Sequence, residues 1–62
     1  MKVVIIGAGR MGIRHAQGIM NNDKVTEILL TDINNSSLEN AESILNNSKI
    51  SYCLNSDVVF KQ

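Results

Sequence analysis

Val3-Val4-Ile5-Ile6-Gly7-Ala8-Gly9-Arg10-Met11-Gly12-Ile13-Arg14-His15 is the stretch on which the fold turns. Its first four residues are β-branched with no polar alternation, which suits a parallel strand buried on both faces and therefore central in its sheet. The apolar run stops at glycines, and a helical pattern opens at about Arg10. Gly7, Gly9 and Gly12 satisfy the spacing G-x-G-x-x-G. In that pattern the first glycine permits a tight turn, the second lets backbone come close to a pyrophosphate, and the third lets the helix pack on the strand. The first N–H groups of such a helix have no intrahelical partner and carry the positive end of its dipole. They face the place where two phosphates would sit, so no lysine is needed.

Three glycines at this spacing also arise by chance, and the context is what gives them weight. The motif follows a strand pattern and precedes a helical one, and Asp32 closes the next strand pattern 32 − 12 = 20 residues beyond Gly12. That is the acidic position expected of a dinucleotide fold. A carboxylate there accepts hydrogen bonds from the ribose 2′- and 3′-hydroxyls and repels a 2′-phosphate. The five residues that follow, Ile33-Asn34-Asn35-Ser36-Ser37, offer no positive charge to hold such a phosphate. The expected cofactor is NAD in preference to NADP, and the expected cofactor-binding residues are Gly7, Gly9, Arg10, Met11, Gly12, Asp32 and Ile33. Read without a ligand, the same residues make a tight strand-to-helix turn followed by a solvated Asp32.

Outward from this motif, the pattern predicts a helix to about Met20, with Gly12, Ala16, Ile19 and Met20 facing the sheet. Met11, His15 and Gly18 form an adjacent stripe, which would leave His15 part buried. With no second titratable group near it in sequence, His15 reads as a packing or hydrogen-bonding residue rather than a catalytic one. Arg10 and Arg14, at i and i+4, either flank the pyrophosphate or form a solvated face. Three asparagine pairs (Asn21-Asn22, Asn34-Asn35, Asn46-Asn47) fall where elements should end, in a chain without proline. Asparagine suits helix C-caps and turns because it tolerates the left-handed conformation. Val25 to Thr31 predicts a second strand centred on Ile28-Leu29-Leu30. Ser36 and Glu39 predict a capping box opening a second helix, with Leu38, Ala41, Ile44 and Leu45 at helical spacing to about Asn46. Ile50, Tyr52 and Leu54 alternate with Ser51 and Cys53 as a short third strand. Asn55-Ser56-Asp57 predicts a loop or N-cap ahead of Val58-Val59-Phe60.

The expected fold class is therefore α/β, a β-α-β-α-β unit with a parallel sheet in the order 3-2-1. Right-handed crossovers would place both helices on one face. This is the first mononucleotide half of a dinucleotide-binding domain, a single N-terminal unit over residues 1–62 that stops short of the second half. One sheet face and the outer edge of the first strand would be bare. Such a chain should fold poorly alone or associate, so a further copy is an expected partner.

Composition narrows the function classes. Sixty-two residues make at most one small domain, near the size where a single core is marginal. Cys53 is the sole cysteine, which removes any intrachain disulfide or thiol cluster for zinc, and nothing nearby would make it reactive, so it reads as a packing residue. No metal site and no catalytic residue is expected. Six basic against six acidic residues, with no basic run, argue against nucleic acid and anionic membranes as partners. The longest apolar run is too short for a signal peptide or a bilayer span, and the expected location is cytoplasmic.

Gly7-Ala8-Gly9-Arg10-Met11-Gly12-Ile13-Arg14-His15-Ala16 resembles the opening of the glucose-fructose oxidoreductase, inositol dehydrogenase and MocA family (Gfo/Idh/MocA). Met11 and the His15 after the last glycine carry the likeness beyond the glycines. It is close only over Val3 to Ala16 and at Asp32; elsewhere it rests on the β-α pattern. The resemblance implies an NAD(P)-dependent oxidoreductase acting by hydride transfer on a sugar, polyol or related substrate, with a Rossmann domain ahead of a second α/β domain. The family's Glu-Lys-Pro motif with its catalytic lysine, and its substrate residues, would lie beyond Gln62, leaving these 62 residues inactive alone. Lys2 to Gly9 and Thr31-Asp32-Ile33-Asn34 are also similar to lactate and malate dehydrogenases, which fit Met11 and His15 less well. A non-catalytic NAD-sensing regulatory module is a further alternative, because fold does not dictate function.

Overall fold

The computed structural model of the protein describes residues 1–57. The elements alternate as β1 (Lys2–Ile6), α1 (Arg10–Ile19), β2 (Glu27–Asp32), α2 (Asn35–Leu45) and β3 (Ile50–Leu54), followed by one 3-10 turn at Asn55–Asp57. Both strand pairings are parallel, and the sheet order is β1-β2-β3. Expected order 3-2-1 describes the same neighbours from the opposite edge, with β2 in the middle. The four β-branched residues of β1 suit a central strand, yet among the described residues β1 pairs with β2 alone and is an edge.

Register explains why one face of the sheet is covered. Val3, Ile28 and Ile50 form one cross-strand row and Ile5, Leu30 and Tyr52 the next. Onto these rows α1 brings Ile13 and Ala16, and α2 brings Leu38, Ala41 and Leu45, giving a single core in which Ile28 and Leu30 are fully buried. Each large apolar side chain buried this way contributes roughly 1.5–3 kcal/mol from lost water contact. The intervening rows, Val4-Leu29-Ser51 and Ile6-Thr31-Cys53, lie on the other face. There Val4 is 44% and Ile6 73% exposed, but Thr31, in the row with Ile6, is fully buried, so the face expected to be bare is open along β1 and covered at the end of β2.

Local chemistry shifts several expected boundaries. β2 starts at Glu27 rather than Val25, because Val25 N–H is taken by Asn22 O in the turn that precedes it, although Val25 itself is buried. The pair Asn21-Asn22 makes that turn without a left-handed cap: Asn22 N donates to Ile19 O, and Asn22 Oδ1 accepts from Lys24 N. Asn46 does adopt the left-handed conformation, with φ 40°, and ends α2 as expected.

The capping box at Ser36 and Glu39 is not formed. Asn34 is the N-cap, so α2 begins two residues before the expected cap could act, and Glu39 Oε1 instead accepts from Asn35 Nδ2 at 3.2 Å. The pair Asn34-Asn35 thus opens a helix rather than ending an element. Ile44, expected against the sheet, is 51% exposed and borders the groove between α1 and α2 together with Ile13. The stripe that docks α2 is narrower than the apolar pattern, consisting of Leu38, Ala41 and Leu45. Val58-Val59-Phe60 lies outside the described residues. Among the described residues no helix is long and apolar enough to cross a membrane, and no group of three metal-binding side chains comes together.

Candidate functional site

At the carboxyl end of the sheet, two hydrogen bonds join the glycine loop to the end of β2, and a third closes the turn that follows β2. Gly7 N donates to Thr31 O at 2.7 Å, which carries the β1-β2 ladder one residue past the strand. Ala8 N then donates to Asp32 Oδ2 at 2.8 Å. The other carboxylate oxygen, Oδ1, accepts from Asn34 N at 2.9 Å, closing a local turn two residues long. Asp32 therefore stands beside the loop that the sequence pairs it with, across a separation of 24 residues. Its backbone donors, first Ala8 and then Asn34, hold the carboxyl below its ordinary value because they favour the charged form.

The three glycines of the fingerprint differ in what requires them. Gly7 has φ +108°, a conformation that a side chain would strain. Gly12 lies so close to the loop that a β-carbon would sit 1.8 Å from Gly7 O, so the helix packs on the turn only because this residue has no side chain. Gly9 is different. Its φ of −78° is open to any residue, and a β-carbon there would meet no atom of the described residues within 4 Å. The chain's own packing does not demand a glycine at this position, and the space beside it is free.

Gly9 is also the N-cap of α1, and it caps nothing with a side chain. The first intrahelical bond runs from Ile13 N to Gly9 O, leaving the N–H groups of Arg10, Met11 and Gly12 ahead of it, and the first turn has no acidic residue. These donors and the dipole make the loop attractive to an anion.

The remaining expected residues divide between two surfaces. Arg10 and Met11 border the shallow hollow beside the loop, along with Ile6, Gly9 and His15. Met11 is 65% exposed, and His15 is exposed where partial burial was expected. Their stripe lies round the helix from Gly12, Ile13 and Ala16, which make the contact with the sheet. Arg14 borders the groove between α1 and α2, one turn and about 6 Å along the axis from Arg10; Arg10 touches both surfaces. Ile33 is 85% exposed immediately after Asp32. Cys53 is half-buried, and the nearby Tyr52 hydroxyl is buried without a hydrogen-bond partner among the described residues; burial, with the Glu42 charge, pushes its pKa up.

Sequence reasoning missed the Ala8 N–H and Asn34 as partners of Asp32. The Asn34 contact had a signal, since aspartate favours a turn to the amide two residues on; the Ala8 contact depends on strand register and had none. No protein-family model, curated protein or solved structure matches the chain.

Proposed function

We propose that the chain binds the adenosine diphosphate part of NAD and serves as the cofactor-binding portion of an oxidoreductase that works by hydride transfer. The observation that carries this reading is Gly9, a glycine at the mouth of an uncapped helix that neither backbone conformation nor packing requires. A group approaching from outside accounts for it, and the free N–H groups of Arg10, Met11 and Gly12 suit a pyrophosphate there. Asp32 would take the ribose hydroxyls, the exposed Ile33 would offer an apolar surface to the adenine, and Arg10 would add positive charge beside the phosphates. When bound, NAD supplies the hydride chemistry; the reading assigns no catalytic residue among these 62.

The resemblance to the Gfo/Idh/MocA family extends the proposal to a sugar, polyol or related substrate. NAD is preferred to NADP because a 2′-phosphate would meet the Asp32 carboxylate, and residues 33–37 provide no counter-charge. Fluorescence titration of the protein with NADH and NADPH tests this. NADH should bind at least about tenfold more tightly, the worth of one hydrogen bond to a charged group. Equal or tighter binding of NADPH would defeat the cofactor assignment, and binding of neither would defeat the proposal.

A further inference from the structure

We propose that Asp32 is also the positioning residue of the phosphate-binding loop, holding it through the Ala8 amide whether or not a ribose is present. This rests on the nucleotide reading for its consequence, though its geometry does not. An ionised carboxylate has about four acceptor sites on its two oxygens. In Asp32 one site on Oδ2 is used by Ala8 N at 2.8 Å and one on Oδ1 by Asn34 N at 2.9 Å. Two sites are left, one for each hydroxyl of a ribose diol, so the bonds to loop and nucleotide coexist instead of competing.

Ala8 is 1% exposed and lies between Gly7, whose φ is +108°, and Gly9, the open N-cap. Its two neighbours are the most freely rotating residues in the chain. Besides the Gly7 N to Thr31 O bond, the Ala8 to Asp32 contact is the hydrogen bond that ties this loop to β2 among the described residues. Without it the amides that lead into α1 lose their fixed direction, and binding to the phosphates weakens even where no ribose hydroxyl is involved. Asn cannot stand in, because its single carbonyl oxygen serves one amide while its NH2 is turned towards the other donor.

The test separates loop from ribose. In the ligand-free full chain, the Ala8 and Asn34 amide proton shifts are followed by NMR as pH is lowered. Both should move together with one midpoint; movement of Asn34 without Ala8 would overturn the proposal. Binding of ADP and of 2′,3′-dideoxy-ADP, which lacks both hydroxyls, is then compared in wild type and Asp32→Ala. A residue that only reads ribose leaves dideoxy-ADP binding unchanged, or improved by loss of a negative charge. A positioning residue makes it about tenfold weaker, the worth of a hydrogen bond to a charged acceptor. Unchanged or improved binding overturns the proposal. If wild type binds neither nucleotide, the proposed function fails, and the ligand-free titration alone decides the positioning role.

Discussion

The two helices begin in opposite ways. At α2, Asn34 Oδ1 accepts from Ser36 N at 2.9 Å and from Ser36 Oγ at 2.6 Å, so the chain closes that helix with its own side chain. At α1, Gly9 stands in the same position with no side chain to offer, and the following three amides have no partner among the described residues. A capping side chain is worth about 1 kcal/mol relative to alanine and a few tenths relative to glycine. Leaving this out at one helix and supplying it at the other is understandable if the open start has a different task. The difference is between an end that the chain closes with its own side chain and an end left open, which the proposed function assigns to binding.

The largest expected effect comes from removing the ground on which that comparison stands. Gly12→Ala would put a β-carbon 1.8 Å from Gly7 O, a backbone atom that cannot swing aside. The helix must lift from the loop or the loop must deform, at a cost of about 3 kcal/mol, the upper end for overpacking. That is a large part of the total stability of a small domain. Urea denaturation should show the midpoint collapse, whereas a loss below about 1 kcal/mol would mean that the contact is not as tight as described.

Much of this arrangement was legible in the residues themselves. The strand-turn-helix around Gly7, the parallel α/β order, and Asp32 at the end of β2 follow from β-branched runs, glycine spacing and helical periodicity, all of which are local. Which asparagine caps α2 was not legible, because Ser36 with Glu39 and Asn34 with Ser36 are both sound local solutions, and the turn made by Asp32 selects the second. Exposure of His15 and Ile44 was not legible either. Periodicity says which residues share a stripe, but the position of the helix over the sheet decides which edge of the stripe is covered.

Next in size is the substitution that should make the two helix starts alike. Gly9→Ser places a capping hydroxyl on a residue that is already extended, at φ −78° and ψ −165°, with no atom within 4 Å of its β-carbon. Stability should hold or rise by a few tenths of a kcal/mol. NADH and NADPH affinity should both fall by at least about tenfold, since the new side chain fills the approach to the backbone and takes one of the free amides. Opposite signs in the two measurements are the point. A variant that loses stability and keeps affinity would show that the open start has no binding task.

The matching change at the other helix should behave in reverse. Asn34→Ala removes the cap of α2 but keeps the backbone N–H that Asp32 accepts. Thermal unfolding should show a loss of about 1 kcal/mol, with NADH affinity unchanged. A fall in affinity as large as that of Gly9→Ser would mean that the two ends are not independent.

The smallest effect concerns the group that touches both helix starts, since Asp32 holds the loop before α1 with Oδ2 and the capping residue of α2 with Oδ1. Its pKa lies below the ordinary 3.8 because the Ala8 and Asn34 amides favour the charged form. A depressed carboxyl contributes stability that is fully present above its unfolded value and lost as pH falls through the lower folded value. The difference in denaturation midpoint between wild type and Asp32→Ala should therefore be constant from pH 7 to about pH 5, where the carboxyl is ionised folded or unfolded. Below 3.8 it should narrow, as protonation costs the wild type what the variant never had. The group is solvent-accessible, so the change is modest and salt should reduce it. A difference that widens in acid would mean that the amide contacts do not favour the charged carboxylate in the folded state, and the two helix starts would then have no shared anchor in Asp32.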